Sequence, residues 1–192
     1  MILTVLSHIT PFAWLSCLII AITRIKSWAA MSVFLCMIVL SFIPVNGITI
    51  AAYLHGYLDD LSLTSLLVSL WILYGLITHS KIVNTQSKPV FIFVGLMGII
   101  FYAFTLIAFT PFNLYGMGYS YSAWVLESIT LLLALIYFHR HEYLAMAFCL
   151  LITIIALCPT NPWQNLWNTA LDPIVALVCL LLSFKTASKI KK

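Results

Sequence analysis

Long apolar runs alternate along this chain with short clusters of Pro, Asn, Lys and Gly. The runs fall near 3–23, 28–45, 61–79, 89–109, 121–138, 143–158 and 168–186. A helix needs about 20 residues to cross a hydrocarbon layer roughly 30 Å thick. The pattern therefore predicts an all-α fold, a polytopic transmembrane helix bundle of about seven helices forming a single integral membrane domain over residues 1–192. The run at 143–158 is short, and the last contains Asp172-Pro173 near its start, so six helices is the competing count.

Composition agrees. With 64% hydrophobic and 7% charged residues and a mean hydropathy of +1.12, the chain has too little polar surface to cover a water-soluble globule. Charge then gives orientation. The nine basic residues cluster as Arg24 with Lys26, Lys81 with Lys88, Arg140 alone, and Lys185, Lys189, Lys191 and Lys192 at the end. Seven crossings put all of them on one side, which the positive-inside rule makes cytoplasmic, with the N-terminus outside and the C-terminus inside. Dropping one crossing would send some clusters to the wrong face. No basic residue precedes the first run, unlike a signal peptide, so it is expected to stay as a helix. The expected location is a bacterial inner membrane. The net charge of +4 then reflects topology and anionic lipid, not nucleic acid. The expected partners are the bilayer and, in one reading, another membrane protein. No cofactor is expected, since no Walker loop or dinucleotide fingerprint is present.

The outer segments 46–60, 110–121 and 159–172 contain Asp59, Asp60, Asp172 and many Tyr and Trp, with no Lys or Arg. The aromatics read as interfacial anchors. The missing cations argue against a bound phosphate or carboxylate.

The stretch His55-Gly-Tyr-Leu-Asp-Asp-Leu-Ser62 holds two of the five acidic residues. Asp60 can cap the helix that begins "LSLTS". The second carboxylate, Asp59, lies four residues after His55, so a helix there puts both on one face. Such a set suits a divalent metal or an acid-oriented His for proton transfer, although a complete metal triad would have to recruit Glu127 or Asp172. Asp172-Pro173 and Asn161-Pro162 each place a capping residue before a Pro at the first helical position, and Ser87 before Lys88-Pro89 suggests a start offset by one. Trp163, Leu166, Trp167 and Ala170 predict a short interfacial helix over 162–170.

Glu127 stands about six residues into its helix, roughly 9 Å below the outer end at 1.5 Å per residue. An ionisable group inside the membrane costs up to about 2.5–3.5 kcal/mol and marks a functional candidate. Its neighbours Ala123, Thr130 and Ala134 are small or polar, so it is expected to face other helices. The competing reading is a protonated Glu that hydrogen-bonds those neighbours and fastens the bundle. Ser62, Ser65 and Ser69 form a similar stripe on the third run.

Other chemistry ranks lower. The five cysteines form no C-x-x-C pair, "GYSYS" lacks the second Gly of a nucleophile elbow, and "HRHE" at 139–142 reads as a charged turn. The sequence thus predicts an outward-facing acidic and aromatic pocket that includes His55, Asp59, Asp60, Glu127 and Asp172. It would bind or conduct a cation, a proton or a small neutral or cationic molecule, or serve as a membrane partner subunit. The alternative is a membrane-embedded enzyme acting on an outer-leaflet lipid head group, with Glu127 or Asp59 as general acid or base assisted by His55.

Overall fold

The computed structural model describes residues 2–25, 27–58, 61–78, 87–106, 123–158 and 166–187. It is predominantly helical. Nine helices occur among the described residues: α1 (Ile2–Thr23), α2 (Ser27–Ser41), α3 (Ile50–Leu58), α4 (Leu63–Thr78), α5 (Lys88–Leu106), α6 (Ala123–His139), α7 (Tyr143–Ala156), α8 (Leu166–Ala170) and α9 (Pro173–Ala187). The helix over Val5–Thr23 is, among the described residues, the one long and apolar enough to cross a membrane by length and composition. The remaining apolar helices, among them Leu63–Thr78 and Trp124–His139, are shorter.

Local chemistry accounts for most boundaries. The second apolar run, expected over 28–45, stops at Ser41 because a two-stranded hairpin follows, β1 (Pro44–Val45) pairing antiparallel with β2 (Ile48–Thr49). Asn46 and Gly47 form its turn with φ of 52° and 82°, the left-handed pair that a two-residue hairpin requires and that Asn-Gly supplies at low cost. The last run divides into α8 and α9 at Leu171-Asp172. Pro173 takes the first helical position there, where its missing N–H is no loss. α5 begins at Lys88, with Ser87 O accepting from Phe91 N at 3.1 Å, which is the offset start expected from Ser87-Lys88-Pro89.

"HRHE" folds as a helix stop followed at once by a helix start. His141 N donates to Phe138 O and Glu142 N to Tyr137 O, a Schellman pair, with His141 left-handed at φ 58°. Glu142 then occupies the N-cap position of α7.

The chain forms two compact units, residues 1–82 and 83–192. In the first, α1 packs against α2, α3 and α4. Trp14 meets Ser65 and Cys17 meets Ser69, so residue numbers rise together and α1 and α4 run parallel. In the second unit α5 pairs with α9 and α6 with α7. Gly95 lies against Leu180 and Gly98 against Ala176, so α5 and α9 are antiparallel and their backbones approach closely.

Candidate functional site

In the first unit, the α1–α4 interface is polar where helix packing is usually apolar. The Trp14 indole N–H donates to Ser65 Oγ at 2.7 Å, and the Cys17 thiol donates to the Ser69 carbonyl at 3.2 Å. Ser62, Thr64, Ser65 and Ser69 are fully buried, as are Thr10 and Ser16 on α1. One such interhelical bond contributes about 1 kcal/mol in a membrane setting. The polar seam is blind. Some eleven residues below Ser62, about 16 Å at 1.5 Å per residue, Leu73 packs with Cys17, Ile20 and Ala30, backed by Phe34 and Leu76.

At the N-terminus of α4 the structure corrects one expectation. Ser62, not Asp60, is the N-cap: its Oγ accepts from Ser65 N at 3.1 Å and its carbonyl accepts from Leu66 N at 3.3 Å. The short hydroxyl two residues further on starts the helix later than "LSLTS" suggested. His55 falls on α3, so helical backbone does reach the His55 position. Asp59, Asp60 and the His55 side chain lie outside the described residues.

In the second unit, Thr130 on α6 and Thr153 on α7 place their hydroxyl oxygens 2.7 Å apart. Thr130 Oγ1 also lies 2.9 Å from the Glu127 carbonyl, and Thr153 Oγ1 lies 2.9 Å from the Cys149 carbonyl. Two hydroxyl protons cannot serve three contacts at once, so the helix–helix bond competes with a bond back to the backbone. The Glu127 carboxylate, half-buried one turn away, makes no hydrogen bond or ion pair among the described residues. With no side-chain bond among the described residues, a Gln at this position should leave folding unchanged.

Asp172 is placed differently. It is buried at 5% exposure, and its Oδ1 accepts from Val175 N at 2.9 Å, capping α9. It also interacts electrostatically with Tyr102 on α5. Nearby, the Phe101 and Trp167 rings stack 4.9 Å apart at 31°. A cavity of about 40 Å³ lies between α5, α6, α7 and α8, walled by Phe93, Met97, Leu126, Leu133, Ile152 and Trp167 with the Thr130 side chain at its edge. Its lining is apolar. Neither Glu127 nor Asp172 faces it.

No family model, curated protein or solved structure matches the chain.

Of the five residues expected to share a pocket, Glu127 and Asp172 have described side chains, one unpaired and one engaged as a cap. Much of that pocket, residues 59–60, 110–122 and 159–165, lies outside the described residues. No group of three or more His, Cys, Asp or Glu side chains able to hold a metal occurs among the described residues. Sequence reasoning missed Trp14 and Thr64. The "NG" of the hairpin was readable in advance; a bond between residues 51 positions apart was not.

Proposed function

We propose that this chain is a polytopic integral membrane protein of a bacterial inner membrane, with seven crossings supplied by α1, α2, α4, α5, α6, α7 and α9. Its acid-bearing outer end would bind a cation, a proton or a small neutral or cationic molecule. The observation that carries this reading is an inverted polarity. Trp28, Ile22, Phe184, Trp124, Leu135 and Val39 are 64–86% exposed, while Ser16, Ser62, Thr64, Ser65, Ser69 and Thr169 are fully buried. Water would favour the opposite arrangement, whereas hydrocarbon accepts Leu, Phe and Trp at no cost and drives hydroxyls inward to find partners. The exposed Trp124, Ile129, Leu132, Leu135 and Phe138 of α6 support an apolar surrounding.

Helix directions within each unit support the same reading. Parallel α1 and α4 need a returning helix between them, and α2 provides it. In the second unit, the N-terminus of α5, the C-terminus of α6 and the C-terminus of α9 share an end, as the Phe93–Tyr137 ring contact and the Gly95–Leu180 approach require. That end holds Lys88 and Arg140. Asp172 opens α9 at the opposite end. The distribution fits a cytoplasmic basic face and an outer acidic one.

Binding is favoured over conduction in the first unit because the α1–α4 seam ends on apolar side chains. In the second unit the unpaired Glu127 carboxyl is the group best suited to take up a proton or cation.

Topology is tested by single cysteines. With Cys36 and Cys158 replaced and the three buried cysteines retained, a membrane-impermeant maleimide added to intact cells should label Val45→Cys but not His139→Cys. His139→Cys should react only after permeabilisation. The reverse pattern would invert the site, and recovery of the protein in the soluble fraction would remove the membrane reading. For Glu127→Gln, stability in thermal denaturation should stay within about 0.5 kcal/mol of wild type, as for a side chain without partners among the described residues. Proton or cation uptake by reconstituted vesicles should fall at least tenfold. Uptake equal to wild type across pH would discard Glu127 as the site.

A further inference from the structure

The first turn of α4 carries an unanswered hydrogen-bond donor. Thr64 Oγ1 is a buried side-chain oxygen with no hydrogen-bond partner among the described residues, and the residue is 0% exposed. A buried hydroxyl left in this state costs the desolvation of its polar atom, so native proteins rarely keep one without a use. Glu142 Oε2 also lacks a partner, but its residue is partly exposed and borders the solvated turn at Arg140.

Thr64 has unused donors beside it. Ser65 N is taken by Ser62 Oγ and Leu66 N by the Ser62 carbonyl, which leaves the first-turn amides of Leu63 and Thr64 without an intrahelical acceptor. Ser65 Oγ accepts from Trp14, so its own proton also remains to be given. These groups can all donate, and they sit at the positive end of a sixteen-residue helix. The complement is an oxygen acceptor. Charge narrows the choice further, because residues 27–80 contain no Lys or Arg. An anion would find no cation in this stretch to balance its charge, which favours a neutral acceptor.

We infer that the first turn of α4 is a binding subsite for a neutral oxygen acceptor, a carbonyl, hydroxyl or water oxygen, that receives the Thr64 hydroxyl proton. This deepens the site reading above and rests on it for the absence of bulk water at this depth. The chemistry is shared by an ordered water and by a small organic carbonyl or alcohol, and the test separates the two sources.

The protein is reconstituted in lipid nanodiscs; failure to insert would count against the membrane reading, not against the subsite. The indole N–H resonance of Trp14, assigned by loss in Trp14→Phe, is followed while N,N-dimethylacetamide is added as an acceptor-only probe. A saturable shift in wild type and Thr64→Ser, weakened at least tenfold in Thr64→Val, establishes an organic acceptor. No shift, but a long-lived water contact to the Thr64 methyl that Thr64→Val abolishes, establishes water. The proposal is overturned if neither signal is found and Thr64→Val melts at or above the wild-type temperature, as expected when a useless buried hydroxyl is removed.

Discussion

Gly98→Ala lowers the melting temperature of the purified protein by several degrees, and adding Ala176→Gly in the same chain restores most of the loss. A Cβ built at Gly98 lies 2.3 Å from Ala176 Cβ, well inside the contact distance of two methyl carbons. Either α5 or α9 must move, and overpacking of this kind costs about 1–3 kcal/mol. A chain of this size loses roughly 2–4 °C per kcal/mol. The second substitution removes the other methyl and leaves the crossing with the same total volume, so the two effects should be strongly non-additive. Gly95→Ala should resist such rescue, because its Cβ would meet the backbone of Leu180 at 3.0 Å and no side-chain truncation can relieve that. Additive effects of Gly98→Ala and Ala176→Gly in thermal denaturation would show that this close crossing is absent.

Asp172→Ala destabilises the second unit, whereas Asp172→Asn is close to wild type. The alanine removes the acceptor for Val175 N at a position only 5% exposed. A lost N-cap costs about 0.5–2 kcal/mol, and leaving the amide buried and unpaired brings the total to roughly 1–3 kcal/mol. Asparagine keeps an oxygen acceptor in place and forfeits only the charge–dipole component, about 0.3–1 kcal/mol. Melting curves of the two variants separate cap from charge. If Asn is as harmful as Ala, the negative charge is the essential feature and Asp172 rejoins Glu127 as a binding candidate.

Much of this protein is written in short-range pattern. Apolar runs marked where helices lie, because helical periodicity acts over a few residues, although the second run stops at Ser41 and the last divides into α8 and α9. Asp172 before Pro173 and Ser87 before Lys88-Pro89 marked helix starts, because a cap bonds an amide two or three residues away. Asn46-Gly47 encoded its turn by the same local means. Capping also shows where local reading is insufficient. Asp60 and Ser62 both offered a suitable oxygen, and the fold placed Ser62 there by starting α4 at Leu63.

Tertiary structure alone decided which polar groups found partners. Trp14 reaches Ser65 and Cys17 reaches Ser69 only because α2 returns the chain so that α1 and α4 lie parallel in one register. A shift of one residue along either helix rotates its face by about 100° and would separate both pairs. The same registers leave Thr64 buried without a partner among the described residues and bring Gly98 against Ala176. The sequence determined that these are helices with polar residues on a predominantly apolar chain, because periodicity and capping act over a few residues. Which donor meets which acceptor depends on helices tens of residues apart, and interhelical distance and rotation are set by packing that no local pattern records.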